Sequence, residues 1–302
     1  MNRLRHLLAV LSLAAAAGAC TTTHLSASVP GRITVVATTT QMQDLAGHVG
    51  GSHVHLVGIL EPNVDPHEFE PSPSTAVALA GAKLVVESGV ELDAWADRLV
   101  AGAGSGVPVF VASAGLPIRA GDADEPDGDP HWWHDPTLFE RAATALGTRL
   151  AQVDPAHAAA YRANAARYAS QIHSMDAANI RLIATVPRAQ RKLVTNHDAF
   201  GYFAAHYDIT VVGSVVPSLS TDAQPSAKQV AELIRRIRVQ HVPAIFTESS
   251  LNPALEERIA SEAGVRVYAN LYGDTLGPAG SSGATYLQME EHNTKVIVEN
   301  LR

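Results

Sequence analysis

The sequence predicts an α/β protein of two lobes, each built on a mainly parallel sheet flanked by helices, joined by one long rigid helix, with a cleft between them. Three observations predict it. Apolar, β-branched runs alternate with helical stretches along the chain, a long stripe of helical period lies at its middle, and the 302 residues exceed what a typical single domain of about 100–150 uses. Strands are expected at Ile33–Thr38, His53–Leu60, Lys83–Ser88 and Val107–Ala112, then at Lys192–Thr195, Ile209–Val212, Ala244–Thr247 and Val265–Tyr268. Thr75–Ala82, Ala94–Ala101 and Ser226–Gln240 have helical composition, and strands that alternate with helices pair in parallel. The middle helix is expected over residues 154–187, with Asp154 as its cap, Pro155 at its first position and Pro187 at its end. Its apolar stripe is Tyr161, Tyr168, Ile172, Met175, Leu182 and Val186. At 1.5 Å per residue it makes a rod of roughly 48 Å, stiff enough to resist hinge bending. The lobes then occupy residues 32–153 and 188–302.

Residues 1–20 form an export signal: Arg3 and Arg5, an apolar stretch from Leu7 to Ala19, then Cys20. The apolar stretch is shorter than the roughly 20 residues a bilayer span needs, but it suits a cleaved leader. Cys20 is the only cysteine and stands where a bacterial lipoprotein is cut and acylated, Ala17 departing from the Leu usual at that site. The expected location is the outer face of the cytoplasmic membrane, with a soluble exported protein as the alternative. Residues 21–31 are small and polar, a tether. With Cys20 consumed the body has no thiol, so it folds without disulfides and any metal site must use His and carboxylate. The net charge of −8 becomes more negative when Arg3 and Arg5 leave, which argues against nucleic acid.

Three of the 14 histidines and one aspartate stand out by context. His67 (NVDPHEFEPSP) sits in a proline-stiffened loop, His131 (DPHWWHDP) beside two tryptophans, His197 in TNHDAFGYF and Asp274 in LYGDTLGP. His67, His197 and Asp274 each follow a strand-like run, and His131 follows another after an acidic loop, which directs all four to one cleft. Three imidazoles and one carboxylate complete a tetrahedral shell for Zn²⁺, with Mn²⁺ as the alternative. His134 is an alternative to His131 or a docking ligand. Glu248 is a partner for a ligand histidine or an added oxygen donor. One of Asp65, Glu68 and Glu70 is expected at the second ring nitrogen of His67.

DPHEFEPSPS, DPHWWHDP, NHDAFGYFAAHYDI, QPSAKQVAELIRRIRVQHVPAIFTESS and LYGDTLGPAG together resemble the zinc and manganese (ZnuA/TroA-like) receptors of ABC transporters, over nearly the whole chain from about residue 32. The resemblance implies two α/β lobes on one long helix, metal held by residues matching His67, His131, His197 and Asp274, and a membrane permease with its ATPase as partners. A histidine at the position of His197 leans toward zinc. A metallochaperone is a further conceivable partner, and a monomer is expected. Unlike many zinc receptors of this type, the segment before His131, Gly121–Asp129 (GDADEPDGD), is short and acidic with no histidine. It is expected either to draw in cations, to mark a docking surface, or to be a solvated loop.

A zinc hydrolase is the first rival. His67-Glu68 lacks the second histidine of HExxH, and there is no GxSxG nucleophile motif. A zinc-braced adhesin or structural lipoprotein is the second, separable because a structural site unfolds when stripped of metal.

Overall fold

The computed structural model describes residues 31–104, 106–123 and 125–302; the leader, Cys20 and nearly all of the tether lie outside the described residues. Two four-stranded parallel sheets form. The first contains β1 (Ile33–Ala37), β2 (Val54–Gly58), β3 (Leu84–Glu87) and β4 (Val109–Val111), in the order β2-β1-β3-β4. The second contains β5 (Lys192–Thr195), β6 (Thr210–Ser214), β7 (Ala244–Glu248) and β8 (Arg266–Leu271), in the order β6-β5-β7-β8. The two orders are the same when each strand of the second sheet is matched to its counterpart in the first. Each has a switch point, between β1 and β3 and between β5 and β7, where the chain leaves in opposite directions and opens a crevice beyond the strand ends.

Helices α1 (Thr40–Gly50), α2 (Pro73–Ala80), α3 (Ala94–Ala103) and α4 (Pro136–Val153) belong to the first half. Then come α5 (Ala158–Ile183), α6 (Gly201–His206), α7 (Ala227–Gln240), α8 (Ala254–Ala263) and α9 (Tyr286–Asn300). Local chemistry sets their starts. Ser72 and Ser226 close capping boxes on α2 and α7, and Asp135 with Pro136 opens α4. Among the described residues no helix is long and apolar enough to cross a membrane.

The linking helix departs from its expected bounds. Asp154 ends α4 instead of capping α5, because its carboxylate bonds His157 Nδ1 and the Tyr161 hydroxyl, each at 2.7 Å. Pro155–His157 forms a 3-10 turn, and α5 itself has 26 residues, about 39 Å of rise. Its stripe is buried at Tyr161, Tyr168, Ile172 and Met175 and then continues through Asn179 to Ile183, leaving Leu182 half-buried. Steps of four keep the stripe in phase with the 3.6-residue turn. Asn179 on that stripe donates to the Glu290 carbonyl at 3.3 Å, tying α5 to α9.

The main hydrophobic cluster is not confined to the first half. It includes Tyr202, Tyr272, Leu276, Tyr286 and Met289 from the second. The lobes therefore share core, which a freely hinged pair would not. α4 and α5 pack tightly at Gly147, where a Cβ would lie 2.6 Å from the Ala165 methyl. Gly147→Leu should therefore prise the two helices apart and cost about 1–3 kcal/mol by overpacking, read as a lower urea midpoint with an unchanged m-value.

Candidate metal centre

Each of the four predicted residues is delivered by the end of a strand or by the segment that follows it. His67 lies in the irregular stretch after β2, flanked by Pro66 and Pro71, and its backbone N–H donates to Asp65 Oδ1 at 2.9 Å. His131 ends the acidic segment and starts a 3-10 turn, Trp132–His134. Its own N–H donates to Asp129 Oδ1 at 3.0 Å, and the Trp133 ring stands edge-on at 5.5 Å between centroids. His197 lies two residues beyond β5, where the Thr195 hydroxyl donates to its carbonyl at 2.6 Å. Asp274 lies three residues beyond β8, in a turn sewn to the first lobe. Leu276 N–H donates to Thr40 Oγ1 (2.8 Å), Trp133 Nε1–H to Gly273 O (3.0 Å) and Asn63 N–H to Thr275 Oγ1 (3.1 Å).

The four side chains converge, with one donor atom from each inside a sphere of contacts no wider than 4.8 Å. His131 Nε2 lies 3.1 Å from Asp274 Oδ1, and His197 Nε2 lies 3.1 Å from Oδ2. His67 Nε2 stands 3.7 Å from Oδ2 and 3.4 Å from His131 Nε2, which is also 3.4 Å from His197 Nε2. A tetrahedron with arms of about 2.0–2.1 Å, the zinc–nitrogen length, has edges of about 3.3–3.4 Å. The donor spacing brackets that value. All four side chains are at most 2% exposed.

The second nitrogen of each imidazole faces a carboxylate. Asp129 Oδ1 is 2.8 Å from His131 Nδ1, Glu248 Oε1 is 2.7 Å from His197 Nδ1, and Glu125 Oε1 is 3.7 Å from His67 Nδ1. At 2.7–2.8 Å the carboxylates beside His131 and His197 favour the proton on Nδ1 and leave the Nε2 lone pair for an ion, whereas Glu125 faces His67 at ion-pair distance only. Glu248 ends β7, the neighbour of β5 across the switch point, and its Oε2 also accepts the Asp274 N–H at 3.1 Å. That reach requires glycine at 273, where a Cβ would sit 2.2 Å from Glu248 Oε2.

Without an ion the cluster carries protons instead. Burial pushes the His131 imidazole down, but its hydrogen bonds to Asp129 and Asp274 override that and lift it to about 9. His197 is likewise opposed by burial and lifted well above the ordinary imidazole range by the charges of Asp274 and Glu248. Burial disfavours ionised Asp274, yet the His197 and His131 imidazolium charges hold it well below the usual carboxylate range.

A model for the zinc-uptake complex component A (ZnuA) periplasmic proteins matches residues 35–300. The chain belongs to that family. Its members are substrate-binding receptors of ABC transporters, not enzymes, and act with a membrane permease and an ATPase. The manganese-binding lipoprotein MntA of Bacillus subtilis (strain 168) is 31% identical, over 97% of this chain and 98% of that protein. The iron-binding protein YfeA of Yersinia pestis is 30% identical, over 84% of this chain and 82% of that protein. The solved periplasmic zinc-binding protein TroA from Treponema pallidum superposes with a TM-score of 0.83 at 29% identity, covering 90% of this chain and 99% of that one. The chain is thus a metal-binding receptor of an ABC transporter, and its relatives' names span three metals.

Two expectations about neighbouring residues are corrected. His134 neither replaces His131 nor reaches the surface as a docking ligand. It is fully buried, stacked on Phe200 at 4.7 Å between centroids, with Nδ1 2.8 Å from Glu290 Oε1 on α9. The partner of His67 Nδ1 is not Asp65, which accepts the backbone N–H, nor the exposed Glu68 and Glu70, but Glu125. That pairing is invisible in sequence, because 58 residues separate them.

His67→Ala should weaken metal binding at least 100-fold by removing one of four donors. His134→Ala should leave affinity within about threefold and instead destabilise the fold by roughly 3 kcal/mol, because it strands buried Glu290. Paired titration and thermal unfolding separate the two effects. The imidazoles must shed protons to bind a cation, so affinity should climb as pH rises from about 6 to about 9, with proton release at neutral pH. A dissociation constant flat across that range would contradict it.

Proposed function

We propose that this chain captures Zn²⁺ outside the cytoplasm and passes it to the permease of an ABC importer, held at the membrane through a lipid on Cys20. His67, His131, His197 and Asp274 are the proposed ligands, His67 and His131 from the first lobe, His197 and Asp274 from the second. The observation that carries the reading is the donor set itself. Five of the six pairs among three Nε2 atoms and a carboxylate stand at 3.1–3.7 Å and all lie within 4.8 Å, a spacing that suits a four-coordinate zinc shell.

Manganese is the second reading, favoured by the 31% identity to a protein named manganese-binding. Mn²⁺ prefers more oxygen donors than one carboxylate supplies. Glu248, a nearby candidate for an extra oxygen, has its two oxygens turned to His197 Nδ1 and the Asp274 N–H. That supports zinc.

Stripped protein titrated with zinc against manganese in competition should take up one equivalent of zinc and yield it only to a large excess of manganese. Preference for manganese would overturn the zinc assignment. As a receptor, the stripped protein should remain folded, and it should gain about 4 kcal/mol of stability when free zinc is a thousand times Kd. Unfolding on chelation would instead mark a structural site.

A further inference from the structure

The acidic segment 119–129 is built into the molecule at three places. Its neck is closed by the Asp129 N–H donating to Arg119 O at 3.1 Å. The Tyr202 hydroxyl, on α6 in the second lobe, spans that neck: it accepts from Arg119 N–H at 2.7 Å and donates to Asp129 O at 3.1 Å. Farther out, Asp122 Oδ2 accepts the Leu219 N–H at 2.8 Å, a second tie to the other lobe. From this doubly fastened segment two carboxylates reach the two first-lobe histidines. Asp129 holds His131 closely, whereas Glu125 stands 3.7 Å from His67 Nδ1 and is itself 17% exposed.

His67 has the greater need of such a partner. His131 is braced by the Trp133 ring and His197 by a strand end, but the stretch around His67 contains no helix or strand. The carboxylate facing the outer nitrogen of His67, at an ion-pair distance longer than a hydrogen bond, is then what orients the imidazole, and loss of such a partner costs metal sites about 10–100-fold in affinity.

We propose that Glu125 is the positioning residue for His67, and that Tyr202, by fastening its segment to the second lobe, makes retention of the ion depend on contact between the lobes. This rests on the receptor reading above. An ion bridging the lobes is then also held by the segment that ties them, and separation of Tyr202 from residues 119–129 withdraws the support of His67.

The test is zinc release from the loaded full-length body into excess chelator, together with the visible spectrum of the cobalt-substituted protein. Glu125→Ala should speed release at least tenfold and weaken the tetrahedral cobalt bands. Glu125→Gln, which keeps a hydrogen-bond acceptor, should restore most of both. Tyr202→Phe should speed release in the same direction. Asp127→Ala, which removes an exposed charge of the same segment, should match wild type. Release from Glu125→Ala within twofold of wild type, or from Asp127→Ala as fast as from Glu125→Ala, would overturn the proposal. A wild-type protein that binds no ion would remove the receptor reading and the proposal with it.

Discussion

The Asp274 carboxylate, held out of water between three imidazoles, is the constraint on which the rest of the structure depends. A buried carboxylate is tolerable only when cations or donors surround it. His131 and His197 meet it at 3.1 Å, and His67 stands farther off at 3.7 Å. The positive charge it requires is carried by protons on the imidazoles or by a divalent ion in their place. The same side chains therefore have reason to stay gathered in both states, and on the proposed ligand set capture would exchange protons for metal at a largely assembled site.

The architecture keeps the site assembled by fixing Asp274 to both lobes. The turn that carries it emerges from β8 of the second sheet, yet its neighbours bond Thr40, Asn63 and Trp133 of the first. The shared core and α5 act in the same direction. Large hinge closure is disfavoured by all three, so release must come from smaller movements around the irregular stretches that hold His67 and His131. That agrees with a receptor whose cargo is a single ion, which needs a shift of an ångström or two to lose a ligand.

Much of this was legible in the sequence, for identifiable reasons. Each of the eight strands overlaps an expected β-branched apolar run, although β6, β7 and β8 continue past theirs; the central strands are largely apolar because both of their faces are buried. The convergence of His67, His131, His197 and Asp274 was legible because strand ends of an α/β sheet point to one crevice. What stayed hidden depends on contacts between distant parts of the chain. Helices α1, α4 and α9 are not among the expected segments despite capping residues at their starts, and α9 packs partly on the first lobe's core. The stop at Asp154 follows from its bonds to His157 and Tyr161, which compete with capping. The Glu125–His67 and His134–Glu290 pairs are properties of the folded chain alone, so the acidic segment read as possible solvent loop when two of its carboxylates face ligand histidines.

If side chains from both lobes fill one cation's coordination sphere, X-ray absorption at the zinc edge of the loaded protein will register it. Three imidazole nitrogens and one carboxylate oxygen at about 2.0–2.1 Å are the predicted shell. A shell of five or six mainly oxygen donors, or one with fewer than three imidazoles, would contradict it.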